Sequence, residues 1–308
     1  MWKKIRRVLM LLLAAVFLFC GGTITVVQHQ YNVNKRLYRA ASNNFTAPTT
    51  LSTVQTGLAE PTDLPEERKP SKLDDGLYRL PEYAPIQVDF EALKKVNPDV
   101  DGWIYCPDTV IDYPVMHGET NDTYLHHSYD KTYNASGSIF VDERNARNFI
   151  DPVSILYGHH MASGAMFATL DQWQFESYRD EHPVMWLLTP EQDYKVELFS
   201  AYNTSAYGDT YEIPLVGTDP SEYLRMVEGY SVWHIGTELD PSSHYIVMST
   251  CAYVFENARS VLLGKLLPVM TAGGQLIVWE NSSPPPAGSR HVTGREAAAG
   301  DDGGRPAD

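Results

Sequence analysis

Cysteine is scarce, with three in 308 residues. Three thiols cannot build a disulfide scaffold, and an odd count leaves at least one unpaired within the chain. No CxxC pair exists, so neither a zinc ribbon nor a thioredoxin-like redox site is expected. Positive charge is also short. Lys and Arg number 24 against 39 Asp and Glu, a formal net charge of −15. So acidic a chain repels phosphate backbones, and no nucleic-acid partner is expected. No repeat of 20–50 residues is visible. Aromatic residues are missing after Asn281, where Pro284, Pro285 and Pro286 are followed by runs of Ala and Gly. That stretch, 283–308, reads as a disordered tail. Elsewhere 43% hydrophobic and 11% aromatic content is enough for a sizeable core.

The N-terminus sets the expected address. Lys3, Lys4, Arg6 and Arg7 precede an uncharged stretch over 8–27. Twenty residues of helix cross about 30 Å of hydrocarbon. The basic cluster predicts a cytoplasmic N-terminus and an extracellular remainder. A cleaved signal peptide is the alternative, but no A-x-A-like site stands near 17–25. Cys20-Gly21 hints at a lipoprotein site, yet Phe19 is too bulky before a lipidated cysteine. Cys20 then reads as a thiol within a membrane helix. Outside the cell disulfides are the default. Cys106 and Cys251 therefore either pair, or one is kept free for chemistry.

Four regions are expected: a basic stub and anchor over 1–27, a juxtamembrane helix and irregular spacer over 28–85, a folded domain over 86–282, and the tail. Within 28–44, Leu37, Tyr38 and Ala41 have near-helical spacing. The 89–96 segment predicts a helix stopped by Asn97-Pro98. Apolar runs rich in Val, Ile, Tyr and Phe then recur at 110–115, 137–141, 153–157, 184–188, 196–202, 245–248, 261–267 and 276–279. Eight such runs predict a mainly β domain, a closed antiparallel barrel or a sandwich. Helices are expected at 220–228 and 164–173.

Three segments could carry chemistry. Tyr245-Ile-Val-Met-Ser-Thr-Cys251 is an apolar run that ends in small polar residues and a thiol. A nucleophile at a strand end is held rigidly beside solvent; a buried core cysteine is the bland alternative. Ser154-Ile-Leu-Tyr-Gly-His159-His160 ends another run in Gly-His. Glycine permits an unusual backbone angle or a close approach, and imidazole can act as acid or base. Adjacent histidines on an extended strand face opposite ways, so the doublet is a poor metal pair. Arg259 precedes the next run. Its guanidinium could bind an oxyanion or simply pair with Glu256.

The order Gly-His, then Ser-Thr-Cys, then Arg resembles the sortases, membrane-anchored cysteine transpeptidases of Gram-positive bacteria, and class B in particular. Asn97-Pro-Asp-Val-Asp-Gly-Trp-Ile104, Thr109-Val-Ile-Asp-Tyr-Pro-Val115, Ser136-Gly-Ser-Ile-Phe-Val-Asp142 and Leu156-Tyr-Gly-His-His-Met161 carry the likeness further. Met248 replaces the commoner Leu before Ser-Thr-Cys, a volume-conserving departure. The resemblance implies a closed eight-stranded β-barrel with a few peripheral helices behind one transmembrane helix. It implies Cys251 as nucleophile, His159 as acid and base, and Arg259 as oxyanion or substrate-backbone donor. Ser249, Thr250 and His160 are secondary candidates for substrate binding or orientation, and Asp142 could tune the site.

The implied substrates are secreted proteins bearing a C-terminal sorting signal of NPxTx or xPxTG type. The implied acceptor is an amine of a peptidoglycan cross-bridge or lipid II. No cofactor or metal is expected, since Asp142-Glu143 and Asp209 form no EF-type loop. The alternatives are a pilin-polymerising sortase, a hydrolytic cysteine protease, and a tethered binding module with a Cys106–Cys251 disulfide.

Overall fold

The computed structural model describes residues 2–49 and 83–269. Helix α1 (Trp2–Phe45) takes in both the apolar stretch and the polar segment after it without a break. It is the one described helix long and apolar enough to cross a membrane, by length and composition. Its last three turns dock on the folded domain. Asn34, Tyr38 and Ala41 are buried there, at helical spacing. The Tyr38 hydroxyl donates to the Gly137 carbonyl at 2.6 Å and meets the Ser138 hydroxyl at 3.1 Å. Ser42 donates to Asp112 at 2.6 Å, and the Trp103 indole N–H donates to the same carboxylate at 2.8 Å.

Strand β1 (Thr46–Pro48) follows at once and pairs antiparallel with β2 (Ile86–Val88), Thr46 opposite Val88. The stretch expected as a spacer thus leaves and returns at one place, and its middle, 50–82, lies outside the described residues. Helix α2 (Phe90–Val96) is capped by Asp89, whose carboxylate accepts from Ala92 N–H at 2.8 Å. Asn97 ends it and donates to the Tyr124 hydroxyl and the Tyr129 carbonyl, both at 2.7 Å.

Eight strands then close a barrel: β3 (Val100–Tyr105), β4 (Asp112–Met116), β5 (Ile139–Val141), β6 (Val153–Tyr157), β7 (Val184–Leu188), β8 (Asp193–Ser205), β9 (His244–Cys251) and β10 (Ala258–Val269). Their order around the barrel is β10-β8-β7-β3-β4-β5-β6-β9. The barrel is mixed rather than purely antiparallel, because β4–β5 and β6–β9 run parallel. Strand β3 escapes the sequence pattern because Asp101-Gly102 breaks its apolar run. A register shift lies there, and a Cβ on Gly102 would sit 2.9 Å from the Leu188 carbonyl. The run at 276–279 and the tail at 283–308 lie outside the described residues. Instead of a helix over 164–173, only a 3-10 turn forms at Leu170–Gln174. Positive φ at Gly164 (79°) and Met166 (57°) breaks the helical backbone before it.

Two apolar layers result from strand alternation. Ile246, Met248, Leu262 and Leu266 fill the barrel interior with Trp103, Trp173 and Trp186. Tyr245, Val247, Val261, Val153 and Ile155 face outward, where Tyr223, Leu224 and Val227 of α5 (Ser221–Gly229) cover them. Short helices α3 (Asn121–Leu125) and α4 (Glu176–Glu181) lie in the connections.

The buried Tyr38 hydroxyl ties α1 to the barrel. Tyr38→Phe strands the Gly137 carbonyl and should cost about 1–2 kcal/mol, read as a lower urea midpoint.

Candidate active site

Strand β9 faces its odd positions outward, so Ser249 and Cys251 share the face of Tyr245 and Val247. Cys251 is the last residue of the strand, a half-buried free thiol. On the antiparallel neighbour, Arg259 stands directly opposite it. Ala252 N–H donates to the Ala258 carbonyl at 2.9 Å. That makes 252/258 a hydrogen-bonded pair and 251/259 the adjacent non-hydrogen-bonded pair, the kind with Cα atoms only about 4.5 Å apart. The guanidinium donates to the Ala258 carbonyl at 3.0 Å. Among the described residues it has no ion pair, Glu256 included.

The imidazole arrives from the other side. Strand β6 runs parallel to β9 with Tyr157 beside Ser249. The ladder continues one step, since Gly158 N–H donates to the Ser249 carbonyl at 3.1 Å. His159 comes two residues after Tyr157, past the end of β6, and Cys251 two residues after Ser249, at the end of β9. Gly158 is needed for close approach, because a Cβ there would lie 2.5 Å from Ile139 Cδ1 and 2.7 Å from Phe167 Cδ2. His159 Nε2 sits 2.8 Å from the Leu125 carbonyl. A carbonyl only accepts, so Nε2 carries a proton and Nδ1 is left for the site. The His126 ring stacks on His159 at 6.0 Å. His160 meets Tyr253, in the loop after Cys251, edge-on at 5.2 Å.

Ser249 is buried, and its hydroxyl bonds the Tyr211 hydroxyl at 2.8 Å. Thr250 is buried on the opposite face, its hydroxyl without a hydrogen-bond partner among the described residues. Neither side chain is exposed.

Sequence reasoning missed the layer beneath. Tyr211 stacks on Tyr157 at 6.4 Å. Tyr157 donates to Asp142 at 2.8 Å, and Arg144 grips the same carboxylate through Nε at 2.8 Å and Nη2 at 3.0 Å. Arg144 Nη1 also donates to the Tyr211 carbonyl at 3.0 Å. Burial pushes the Tyr211 hydroxyl up to about 12; the Ser249 hydrogen bond and the Arg259 charge pull the other way, while Cys251 adds to the rise. Burial would also raise the Asp142 carboxyl, but Arg144 and the Tyr157 hydroxyl outweigh it and hold it below the ordinary value. Asp142 alone of this layer stood among the sequence candidates. Tyr211 gave no local signal, since only tertiary folding brings it to Ser249.

Cys106 is also free, buried with Sγ 3.6 Å from the Val184 carbonyl. Burial pushes its thiol up to about 12, which disfavours the thiolate. The Cys106–Cys251 disulfide of the binding-module alternative is not formed. Among the described residues no group of three or more His, Cys, Asp or Glu could hold a metal ion.

Comparison with known proteins identifies the family. Sortase B of Listeria monocytogenes is 36% identical over 186 residues, 59% of this chain and 75% of the relative. The chain belongs to the sortase B family. As a class B sortase it is a cysteine transpeptidase. The Clostridium perfringens sortase B structure superposes with TM-score 0.54 at 32% identity, over 58% of this chain and 99% of that one. A Staphylococcus aureus sortase B–substrate complex gives 0.55 at 29% identity, over 58% and 85%. No family model matches the chain.

Two outcomes test this geometry in the sortase. Gly158→Ala overpacks the turn before His159, at about 1–3 kcal/mol, and should lower kcat/KM at least about tenfold while the protein still folds. Peptide cleavage and thermal melting check it. The lowered Asp142 value means its stabilisation is complete above the unfolded carboxyl's 3.8 and is lost as pH falls through the folded value. Urea midpoints should therefore drop more steeply below about pH 4 in the native chain than in Asp142→Asn.

Proposed function

We propose that Cys251, His159 and Arg259 carry the transpeptidase chemistry, acting on the C-terminal sorting signal of a secreted protein. The observation that carries this is the meeting of three strand ends. Arg259 lies opposite Cys251, and His159 follows β6 two residues after Tyr157, the partner of Ser249, which itself stands two residues before Cys251.

His159 Nδ1 takes the Cys251 thiol proton, and the thiolate attacks the carbonyl carbon of the threonine in an NPxTx or xPxTG motif. Charge gathers on the carbonyl oxygen, where Arg259 N–H groups stabilise it. The C–N bond breaks as His159 Nδ1–H gives its proton to the leaving amine, and a thioacyl-enzyme remains. An incoming amine, from a peptidoglycan cross-bridge or lipid II, loses its proton to Nδ1 and displaces the Cys251 thiolate, which recovers that proton. Splitting one acyl transfer into two lowers each barrier. The Leu125 carbonyl accepts from Nε2–H throughout, which suits an imidazole that becomes charged. Ser249 keeps β9 in place through Tyr211.

A sorting-signal substrate is supported by the relative solved with its substrate. The sortase B relatives do not favour the pilin-polymerising alternative. In this reading α1 anchors a catalytic barrel domain of 86–282 outside a Gram-positive membrane, N-terminus in the cytoplasm. The 28–85 region is the juxtamembrane helix and spacer, and 283–308 the tail.

Cys251→Ala should abolish cleavage of sorting-motif peptides. His159→Ala and Arg259→Ala should each lower it by roughly 100-fold or more. With an added amine the native chain should give a ligated product. Formation of the free acid alone would identify a hydrolase instead.

A further inference from the structure

Charge is divided unevenly along this acidic chain. The first acidic residue is Glu60, and seven Lys and Arg precede it. Beyond that point 17 cations face all 39 carboxylates. Four of the early cations lie before the apolar stretch. The other three, Lys35, Arg36 and Arg39, follow it on α1 and are exposed. With Asn32 they line a shallow concavity at i, i+3, i+4 and i+7. Among the described residues none of the three has an ion pair.

The helix fixes where this stripe stands. If 8–27 crosses the bilayer, Lys35 follows the end of the apolar stretch by about 12 Å along the axis, at 1.5 Å per residue. Side chains lean toward a helix N-terminus, which here means back toward the membrane. The headgroup layer reaches roughly 5–8 Å beyond the hydrocarbon, and charge acts over about another 8–10 Å. Asn34, Tyr38 and Ala41 lock the same turns onto the barrel, so the stripe cannot turn away. Cations just past a span on the translocated side also run against the positive-inside bias. An anionic partner there gives them a role.

We infer that Lys35, Arg36 and Arg39 form a docking surface for anionic phospholipid headgroups of the leaflet from which α1 emerges. The barrel is thereby held close to that leaflet at a set orientation. This rests on the reading of α1 as a membrane span.

The full chain would be reconstituted in vesicles of phosphatidylcholine alone, or with about one third phosphatidylglycerol. Vesicle flotation after carbonate washing reports insertion, and failure to float would sink the membrane reading itself. In floating protein, a water-soluble acylating reagent followed by peptide mass spectrometry gives the Lys35 labelling rate, with exposed Lys95 as internal reference. The expected result is about fivefold or greater slowing at Lys35 with phosphatidylglycerol, reversed by 0.5 M salt. Arg36→Gln with Arg39→Gln should weaken that protection while soluble-peptide cleavage stays unchanged. Equal labelling in both lipids would overturn the inference. Equally slow labelling in both would also overturn it, since another part of the chain would then cover the stripe.

Discussion

Strand β9 is held by two ladders of opposite sense, and the candidate site depends on that. The parallel ladder to β6 sets Tyr157, two residues before His159, beside Ser249, two residues before Cys251. The antiparallel ladder to β10 sets the position of Arg259. Each ladder ends within two residues of the thiol, so the three polar groups emerge where regular pairing stops. A one-residue slip of either ladder would turn a candidate side chain to the other face. Burial of Ile246 and Met248 inside the barrel, and of Tyr245 and Val247 beneath α5, opposes any slip from both sides.

Behind the outward face lies a polar buttress. Tyr211 holds Ser249 two residues before the nucleophile, and Tyr157 stacks on Tyr211 two residues before the imidazole. Asp142 accepts from the Tyr157 hydroxyl, and Arg144 joins that carboxylate to the Tyr211 backbone carbonyl. A buried carboxylate is tolerated there because each of its oxygens has a charged or hydroxyl donor. The network fixes β6 and β9 relative to one another without placing further charge beside the thiol.

The helix at the N-terminus is joined to the same region through few contacts. Tyr38 donates to the Gly137 carbonyl. A Cβ on Gly137 would lie 2.5 Å from the Leu125 oxygen, so that turn packs directly on the carbonyl that His159 uses. Strands β1 and β2 bring the chain back to the foot of the helix, so the residues between them add no length between α1 and the barrel.

The amino-acid order alone marked Cys251, His159 and Arg259, because each stands at the end of an apolar run whose composition is itself a strand signal. It also marked the membrane-length apolar stretch and the helices at Asp89 and Pro220, which depend on neighbours a few residues away. Strand β3 was obscured by Asp101-Gly102, a local break that barrel closure overrides. Pairing direction, the partner of each ring nitrogen, the inward turn of Thr250 and the place of Tyr211 were decided by tertiary structure. Those features join residues far apart in the chain, and the free energy that selects among possible pairings comes from burying both faces of β9 at once.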